Sequence, residues 1–168
     1  RSEQVEANRD QSDEIVGKRK AFRPDEVTPI QSHLSERDGN RYLLKRDDLC
    51  TIHGASGGKA RTCWALAKDA KIGLTTAGSR HSPQAMLVAT MANRLGLPCV
   101  IHTPKGDISS GPVADAVKLG ADVIQHPHGY NSVIVKRCRE YAAASGYTEI
   151  PFGMECPEAV RETRKQYS

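Results

Sequence analysis

Hydrophobic residues follow two alternating patterns along most of this chain, and the alternation limits the folds that it can adopt. From about residue 58 to residue 166, short apolar runs typical of strands are followed by stretches with apolar residues at helical spacing, and glycine or proline ends most of them. Strands that alternate with helices of this length are joined by right-handed crossovers into a parallel sheet. The pattern predicts a three-layer α/β fold, an open and mostly parallel sheet with helices on both faces.

The same pattern predicts where the elements begin and end. Before the alternating region, Asp38-Gly39 predicts a turn between two short strands at 30–34 and 42–45. In open sheets ligands bind beyond the carboxyl ends of the strands, so the loops after the predicted strands are the expected site. The predicted sheet strands are 74–77, 99–102, 122–125 and 149–152, and the predicted helices are 59–72, 83–95, 112–119, 131–144 and 157–166.

Composition bears on domain organisation and location. The 168 residues, 38% hydrophobic and 5% aromatic, suit one α/β domain. We expect that domain at 25–168, after a charged and disordered extension at 1–24. Because the chain has no apolar run of membrane-spanning length and no secretory signal at 1–10, we expect a cytoplasmic protein with no membrane partner. The basic run Lys18-Arg19-Lys20 leaves nucleic acid or another polyanion open as a partner.

The spacing of cysteine and histidine argues against disulfide and metal chemistry. The five cysteines are widely spaced and contain no C-x-x-C pair. His126 and His128 flank Pro127, an arrangement typical of a turn, and no third ligand is evident. We therefore expect reduced thiols and no metal site.

A lysine behind two glycines is the most informative local feature. Lys59 follows Gly57-Gly58 and begins the first predicted helix. A lysine that bonds an aldehyde must lose its proton, and the positive end of a helix dipole together with partial burial favours the neutral amine. The glycines permit unusual backbone torsions and the close approach of a flat ring. Spacing alone favours an ordinary surface lysine at a helix start. The segment at 45–49, described below, favours a cofactor lysine instead.

A nucleotide phosphate loop is a second reading of the same residues. The pattern G-x-x-x-x-G-K-[ST] requires one more residue between its glycines than Gly54 to Gly58 provides in register with Lys59. It also requires a hydroxyl after the lysine to hold magnesium, and Ala60 has none. Nucleotide hydrolysis is therefore disfavoured.

Two segments resemble the fold type II pyridoxal-phosphate enzymes, the tryptophan-synthase-β-like family, and within it the branch of aminocyclopropane-carboxylate deaminase and D-cysteine desulfhydrase. In that branch a K-R-[DE]-D-L segment precedes Gly-Gly-Asn-Lys-x-Arg, whose lysine forms the Schiff base with the cofactor. Residues 45–49 match the first segment outright, and the second is matched without its Asn by Gly57, Gly58, Lys59 and Arg61. The resemblance covers about 28–166 and implies a pyridoxal 5'-phosphate cofactor on a catalytic Lys59. It also implies a lyase or deaminase acting on a small amino acid or a related amine.

The loop after the next strand carries the site residues that the resemblance implies. In the family this loop binds the substrate carboxylate, and its Asn contacts the cofactor. Here His81 stands where the Asn is expected and Arg80 where a small residue is usual. The alternative is that Ser82 only caps a helix while Arg80 and His81 are solvated. The implied cofactor-binding residues are Gly58, Lys59, Ser79 and His81, and the implied substrate-binding residues are Ser79, Arg80, Ser82 and Gln84.

Family members are longer, and their second half supplies the glycine-rich cup for the cofactor phosphate. No such segment is evident in the 168 residues. Three readings stay open: a fragment, a split enzyme completed by another chain or by a second copy in a homo-oligomer, and a degenerate relative that binds without catalysing. The resemblance thus predicts only the first part of the enzyme fold.

Overall fold

The computed structural model describes residues 22, 23 and 25–167. Most of the predicted charged extension at 1–24 lies outside these residues, so the division of the chain at residue 24 stays a prediction. The strands are β1 Ile30–Leu34, β2 Arg41–Lys45, β3 Thr51–Ile52, β4 Ala55–Ser56, β5 Leu74–Ala77, β6 Cys99–Pro104, β7 Ala121–His126 and β8 Thr148–Ile150. The α-helices are α1 Gly58–Ala67, α2 Gln84–Leu95, α3 Gly111–Lys118, α4 Asn131–Ser145 and α5 Pro157–Arg164.

Four strands form one parallel sheet in the order β7, β6, β5, β8. Leu74 of β5 pairs with Cys99 of β6 on one side and with Thr148 of β8 on the other. Helices α5, α1, α2 and α3 pack side by side over one face, and α4 packs on the opposite face. The predicted three-layer, parallel α/β fold is therefore confirmed. No helix within the described part of the chain is both long and apolar enough to cross a bilayer.

Alternation along β5 assigns its buried side chains to the two faces. Leu74 belongs to the main core with α1 and α2, whereas Ala77 packs with Ile134 and Cys138 of α4. The two threonines between them are fully buried, and each hydroxyl donates to a carbonyl of a neighbouring strand, Thr75 to Val100 and Thr76 to Ile150, both at 2.9 Å. These bonds offset the cost of burying a hydroxyl in the centre of the sheet.

The last sheet strand is shorter than the prediction of 149–152. Strand β8 ends at Ile150, and residues 152–154 form a 3-10 turn in which Gly153 adopts a left-handed φ of 69°. Gln84 explains the early end, because its side-chain amide donates to the Pro151 carbonyl and accepts from the Gly153 N–H. A side chain from α2 thus replaces the hydrogen bonds that a neighbouring strand provides elsewhere.

Two small hairpins precede the sheet. Strands β1 and β2 pair antiparallel as predicted, with Ile30 opposite Lys45. Strands β3 and β4 form a second hairpin whose turn, His53-Gly54, has positive φ at both residues. The Gly57 N–H donates to the Cys50 carbonyl at 3.0 Å, and this bond fixes the chain just before α1 begins.

Candidate active site

Three helices begin around one cleft at the carboxyl edge of the parallel sheet. The cleft has a volume of about 540 Å³, within the range of small-molecule sites. The residues at the helix N-caps, Gly57, Pro83 and Ser110, form no side-chain cap hydrogen bond, although the Ser82 hydroxyl accepts from the Gln84 N–H at 3.3 Å. Backbone N–H groups at helix starts favour anions, so the cleft can accept a carboxylate or phosphate. Its lining residues at these helix starts are Gly57, Gly58, Lys59, Ser82, Pro83, Gln84, Gly111 and Pro112.

Lys59 lies in the first turn of α1 and borders two cavities. Its exposed side chain lines the large cleft and also a smaller cleft of about 200 Å³ between α1 and α5. Of the described residues that line the large cleft, two carry charge, Lys59 and Asp115. Because Asp115 is paired with Lys118 at 2.7 Å, Lys59 supplies the unpaired positive charge of the cleft wall.

The two sequence segments around Lys59 meet in space. Asp47 of the first segment forms an ion pair with Arg61 of the second, with Arg61 Nη1 donating to Asp47 Oδ1 at 3.0 Å. The Thr28 hydroxyl donates to the same oxygen at 2.8 Å and accepts from Arg61 Nη2 at 3.3 Å. Arg61 is only 3% exposed, so this closed set joins the chain before β1 to the first turns of α1. The sequence identified both segments but not this contact between them.

One part of the loop after β5 lines the cleft, and the other part lies outside it. Among the described residues, those that line the cleft include Ser82 and Gln84 but not Ser79, Arg80 or His81. Arg80 donates from Nε to His81 Nε2 at 3.0 Å, and Ser79 Oγ accepts from the His81 N–H at 3.3 Å. Three of the predicted cofactor- or substrate-binding residues thus bind one another beside the cleft.

Two relatives of known name are similar to this chain over part of their length, whereas no family model matches it. A Thermotoga maritima protein provisionally named 1-aminocyclopropane-1-carboxylate deaminase is 31% identical over 139 residues, which cover 75% of this chain and 44% of that protein. The biosynthetic L-threonine dehydratase of Pasteurella multocida is 31% identical over 131 residues, covering 75% of this chain and 25% of the relative. The chain thus spans less than half the length of both relatives.

Solved structures agree on the fold. A crystal structure of an ACC deaminase homologue matches 89% of this chain and 50% of its own, with a TM-score of 0.69 and 23% identity. A threonine deaminase from T.th. matches 83% of this chain and 46% of its own, with a TM-score of 0.60 and 24% identity. This chain is a partial-length relative of the fold type II pyridoxal-phosphate enzymes.

Within this family fold, Gln84 has a structural task at the cleft wall. Both hydrogens of its amide nitrogen have partners, the Thr76 hydroxyl and the Pro151 carbonyl, each at 2.8 Å. Its oxygen accepts from the Gly153 N–H at 3.1 Å. Gln84 therefore ties α2 to the ends of β5 and β8, and its contact with a substrate stays a prediction.

The Arg80 side chain occupies the space next to Gly106 on the neighbouring loop. A Cβ added to Gly106 would overlap Arg80 Nη1 and lie 3.1 Å from Cζ. The adjacent carboxylate of Asp107 interacts electrostatically with Arg80, and its pKa is lowered mainly by hydrogen bonds from Ser109. Arg80 therefore bridges the loops after β5 and β6, and its predicted role in substrate binding stays a prediction.

Two histidines that the sequence did not assign to one site lie together on the α4 side of the sheet. His102, 2% exposed, contacts His126 through Nδ1 and Nε2 at 2.9 Å and packs edge-on against Tyr141. Burial, followed by the proximity of His126, lowers the pKa of His102 to about 4. Burial also lowers the pKa of His126. His126 thus pairs with His102, and no cluster of three metal-ligating side chains occurs within the described part of the chain.

Proposed function

We propose that this chain forms the lysine-bearing part of a pyridoxal-phosphate-dependent deaminase or lyase that acts on a small amino acid or a related amine, with Lys59 as the cofactor lysine. The observation that carries the proposal is the position of Lys59 in a cleft where three helices begin. The names of the relatives, a deaminase and a dehydratase, support the same reaction class.

The cleft residues fit the aldehyde end of such a cofactor. Lys59 supplies an accessible amine, and Gly57, with a φ of 100°, turns the backbone sharply beside it. The start of α3, where Ser110 forms no side-chain cap hydrogen bond, suits an anionic group. When bound, the cofactor would draw electrons from the α-carbon of the substrate.

The chain's own residues then have separable tasks. Lys59 would hold the cofactor through its amine, and the same amine, when free, would accept a proton from the substrate α-carbon. The Ser82 hydroxyl, which accepts from the Gln84 N–H at 3.3 Å, donates its own hydrogen to the substrate carboxylate. The apolar side chains of Met86, Leu87 and Pro112 line the same cleft and suit a small aliphatic substituent.

Reductive trapping tests the assignment directly. The purified chain is mixed with pyridoxal 5'-phosphate, the visible spectrum is recorded, borohydride is added, and the labelled peptide is identified by mass. We expect a new visible absorption band and label on Lys59. Lys59→Ala removes both, because no other lysine lines the large cleft among the described residues.

Lys68→Ala is the matched control, since Lys68 is an exposed lysine directly after the other end of α1. It is expected to label and absorb as the unaltered chain does. Labelling spread over many surface lysines, or equal labelling of the Lys59→Ala variant, contradicts the proposed role of Lys59.

A second candidate is a module that works only with a complementing chain or a second copy, and one surface favours it. The β1–β2 hairpin pairs only with itself among the sheets of the described chain, and all residues of its two strands but Lys45 are exposed. Its apolar residues include Ile30, Leu34 and Leu43, at 54%, 59% and 72% exposure. Light scattering tests the form of this candidate that uses a second copy, because a second copy doubles the mass.

A further inference from the structure

The position of Asp47 explains why residue 58 is a glycine. A Cβ at this position would lie 2.9 Å from Oδ2 of Asp47, closer than real Cβ contacts allow. Unlike Gly57, Gly58 has no left-handed torsion. The need for glycine therefore comes from the space that Asp47 occupies and not from the backbone conformation.

Asp47 is held and cannot simply move away. Its other oxygen, Oδ1, accepts from Thr28 at 2.8 Å and from the buried Arg61 at 3.0 Å. Thr28 is itself fixed, because its N–H donates to Gln166 at 3.1 Å and its carbonyl accepts from Lys45. The carboxylate thus lies against the first turn of α1, where the positive end of the helix dipole favours it.

We propose that Asp47 is a positioning residue that fixes the first turn of α1, and with it Lys59, by packing its carboxylate against Gly58. Lys59 directly follows Gly58 and precedes Arg61 by two residues, so the contact and the ion pair lie on either side of the lysine. Gly58 then serves Asp47 and not the face of a bound ring. The role rests on the proposed function of Lys59, whereas the contact itself does not.

The test is a double-mutant cycle between the two positions. The variants are Gly58→Ala, Asp47→Ala and their combination, with Gly129→Ala as control, because a Cβ there meets only the Pro127 carbonyl oxygen at 3.9 Å. Two quantities are measured on the full chain. One is the rate of borohydride trapping of pyridoxal 5'-phosphate on Lys59, and the other is amide hydrogen exchange in residues 58–62 compared with residues 65–67.

We expect Gly58→Ala to slow labelling about tenfold, since small displacements of a reacting group are costly. In the Asp47→Ala background the same alanine should have almost no further effect, because the overlap is gone. Exchange should rise at 58–62 in both single variants and stay unchanged at 65–67. Gly129→Ala should leave both quantities unchanged. If Gly58→Ala does not fold alone, recovery of folding in the double variant gives the same support.

Equal damage by Gly58→Ala with and without Asp47 overturns the proposal and assigns the glycine to the bound ring. Unchanged exchange at 58–62 in Asp47→Ala, a variant at a partly exposed site, overturns it as well. If Lys59 of the unaltered chain does not label at all, the proposed function fails. The exchange measurement then still decides whether Asp47 fixes the turn.

Discussion

Two arginines near the carboxyl edge of the sheet illustrate how differently the two sides of the cleft are held. Arg61, next to the lysine, is 3% exposed and bonds both Asp47 and Thr28. Arg80, on the loop after β5, is half-buried, lies over Gly106 and bonds the exposed His81. The lysine side is fixed by burial and charge, whereas the outer part of the loop is held by a contact at the end of a flexible side chain.

The contrast follows the sequence resemblance. The residues that match the family segments, Asp47 and Arg61, form the ion pair beside the lysine, and Arg61 is buried. The residues that depart from the family's loop pattern, Arg80 and His81, lie outside the cleft lining. Under the proposed function, selection of the substrate would depend on the groups that line the cleft, Ser82 and the apolar side chains of Met86, Leu87 and Pro112.

Replacing each arginine by alanine gives the largest expected difference. Arg61→Ala removes a buried side chain and the hydrogen bonds that it donates to Thr28 and Asp47, which we expect to lower the free energy of unfolding by about 3 kcal/mol. That figure lies at the low end for such pairs because Asp47 is 39% exposed and water partly replaces the lost partner. Arg80→Ala should change it by less than about 0.5 kcal/mol. Urea unfolding measures both, and equal losses remove the distinction between the two sides.

Acid provides a second comparison, between the lysine side and the α4 side of the sheet. Burial and then His126 lower the pKa of His102 to about 4, so the unfolded chain binds a proton more readily between pH 6.5 and 4. Stability therefore falls as the pH drops through that window, by about 2–3 kcal/mol at pH 4 for this group.

The measurement is urea unfolding at several pH values for the unaltered chain and for His102→Gln, which cannot titrate. The variant should lose the part of the pH dependence that His102 contributes. Hydrogen exchange near pH 5 should rise in α4, which carries Tyr141, before it rises in α1. Parallel slopes for the two proteins would contradict a buried neutral His102.

Much of the fold could be predicted because small apolar residues mark its helices. Ala60, Cys63 and Ala67 of α1 are all fully buried, as their helical spacing predicts. The end of β8 could not be predicted in this way, because it depends on Gln84, which is distant in sequence and looks like an ordinary polar residue at a helix start. Hydrophobic periodicity contains no information about such a side-chain bond to backbone.

The candidate site could be predicted from the sequence only in part, for a similar reason. The sequence singles out Lys59 by its segment, and Lys59 lines the cleft, while its role as the cofactor lysine stays a prediction. The histidine pair was missed because His102 lies in a strand pattern while His126 looked like part of a turn, and only the parallel register of β6 and β7 brings them together. The sequence predicts that Arg80 lies on the loop after β5. It does not predict that the Arg80 side chain packs over Gly106, because that contact depends on the neighbouring loop.

Gln84 tests whether the inner part of the loop is as firmly held as the lysine side. Gln84→Ala removes one buried and two partly buried hydrogen bonds, so we expect the free energy of unfolding to fall by about 2 kcal/mol. Gln125→Ala, which loses one exposed bond to the Gly106 carbonyl, is the control and should cost less than about 0.5 kcal/mol. If Gln84→Ala lowers the free energy of unfolding no more than Gln125→Ala does, the inner part of the loop is held as weakly as the outer part at Arg80.

Gly106→Ala is expected to have the smallest effect on stability and gives the sharpest view of Arg80. The added Cβ overlaps Arg80 Nη1, the end of a flexible side chain, so the guanidinium can move while the backbone stays, and the cost should be below about 0.5 kcal/mol. If Arg80 only bridges the two loops, the affinity for small amino acids, measured by calorimetry with the cofactor present, should change equally in Gly106→Ala and Arg80→Ala. If the displaced guanidinium instead enters the cleft, Gly106→Ala should bind acidic amino acids more tightly than the unaltered chain does, and Arg80→Ala should not. The second result would assign Arg80 to substrate selection and end the contrast between the two arginines.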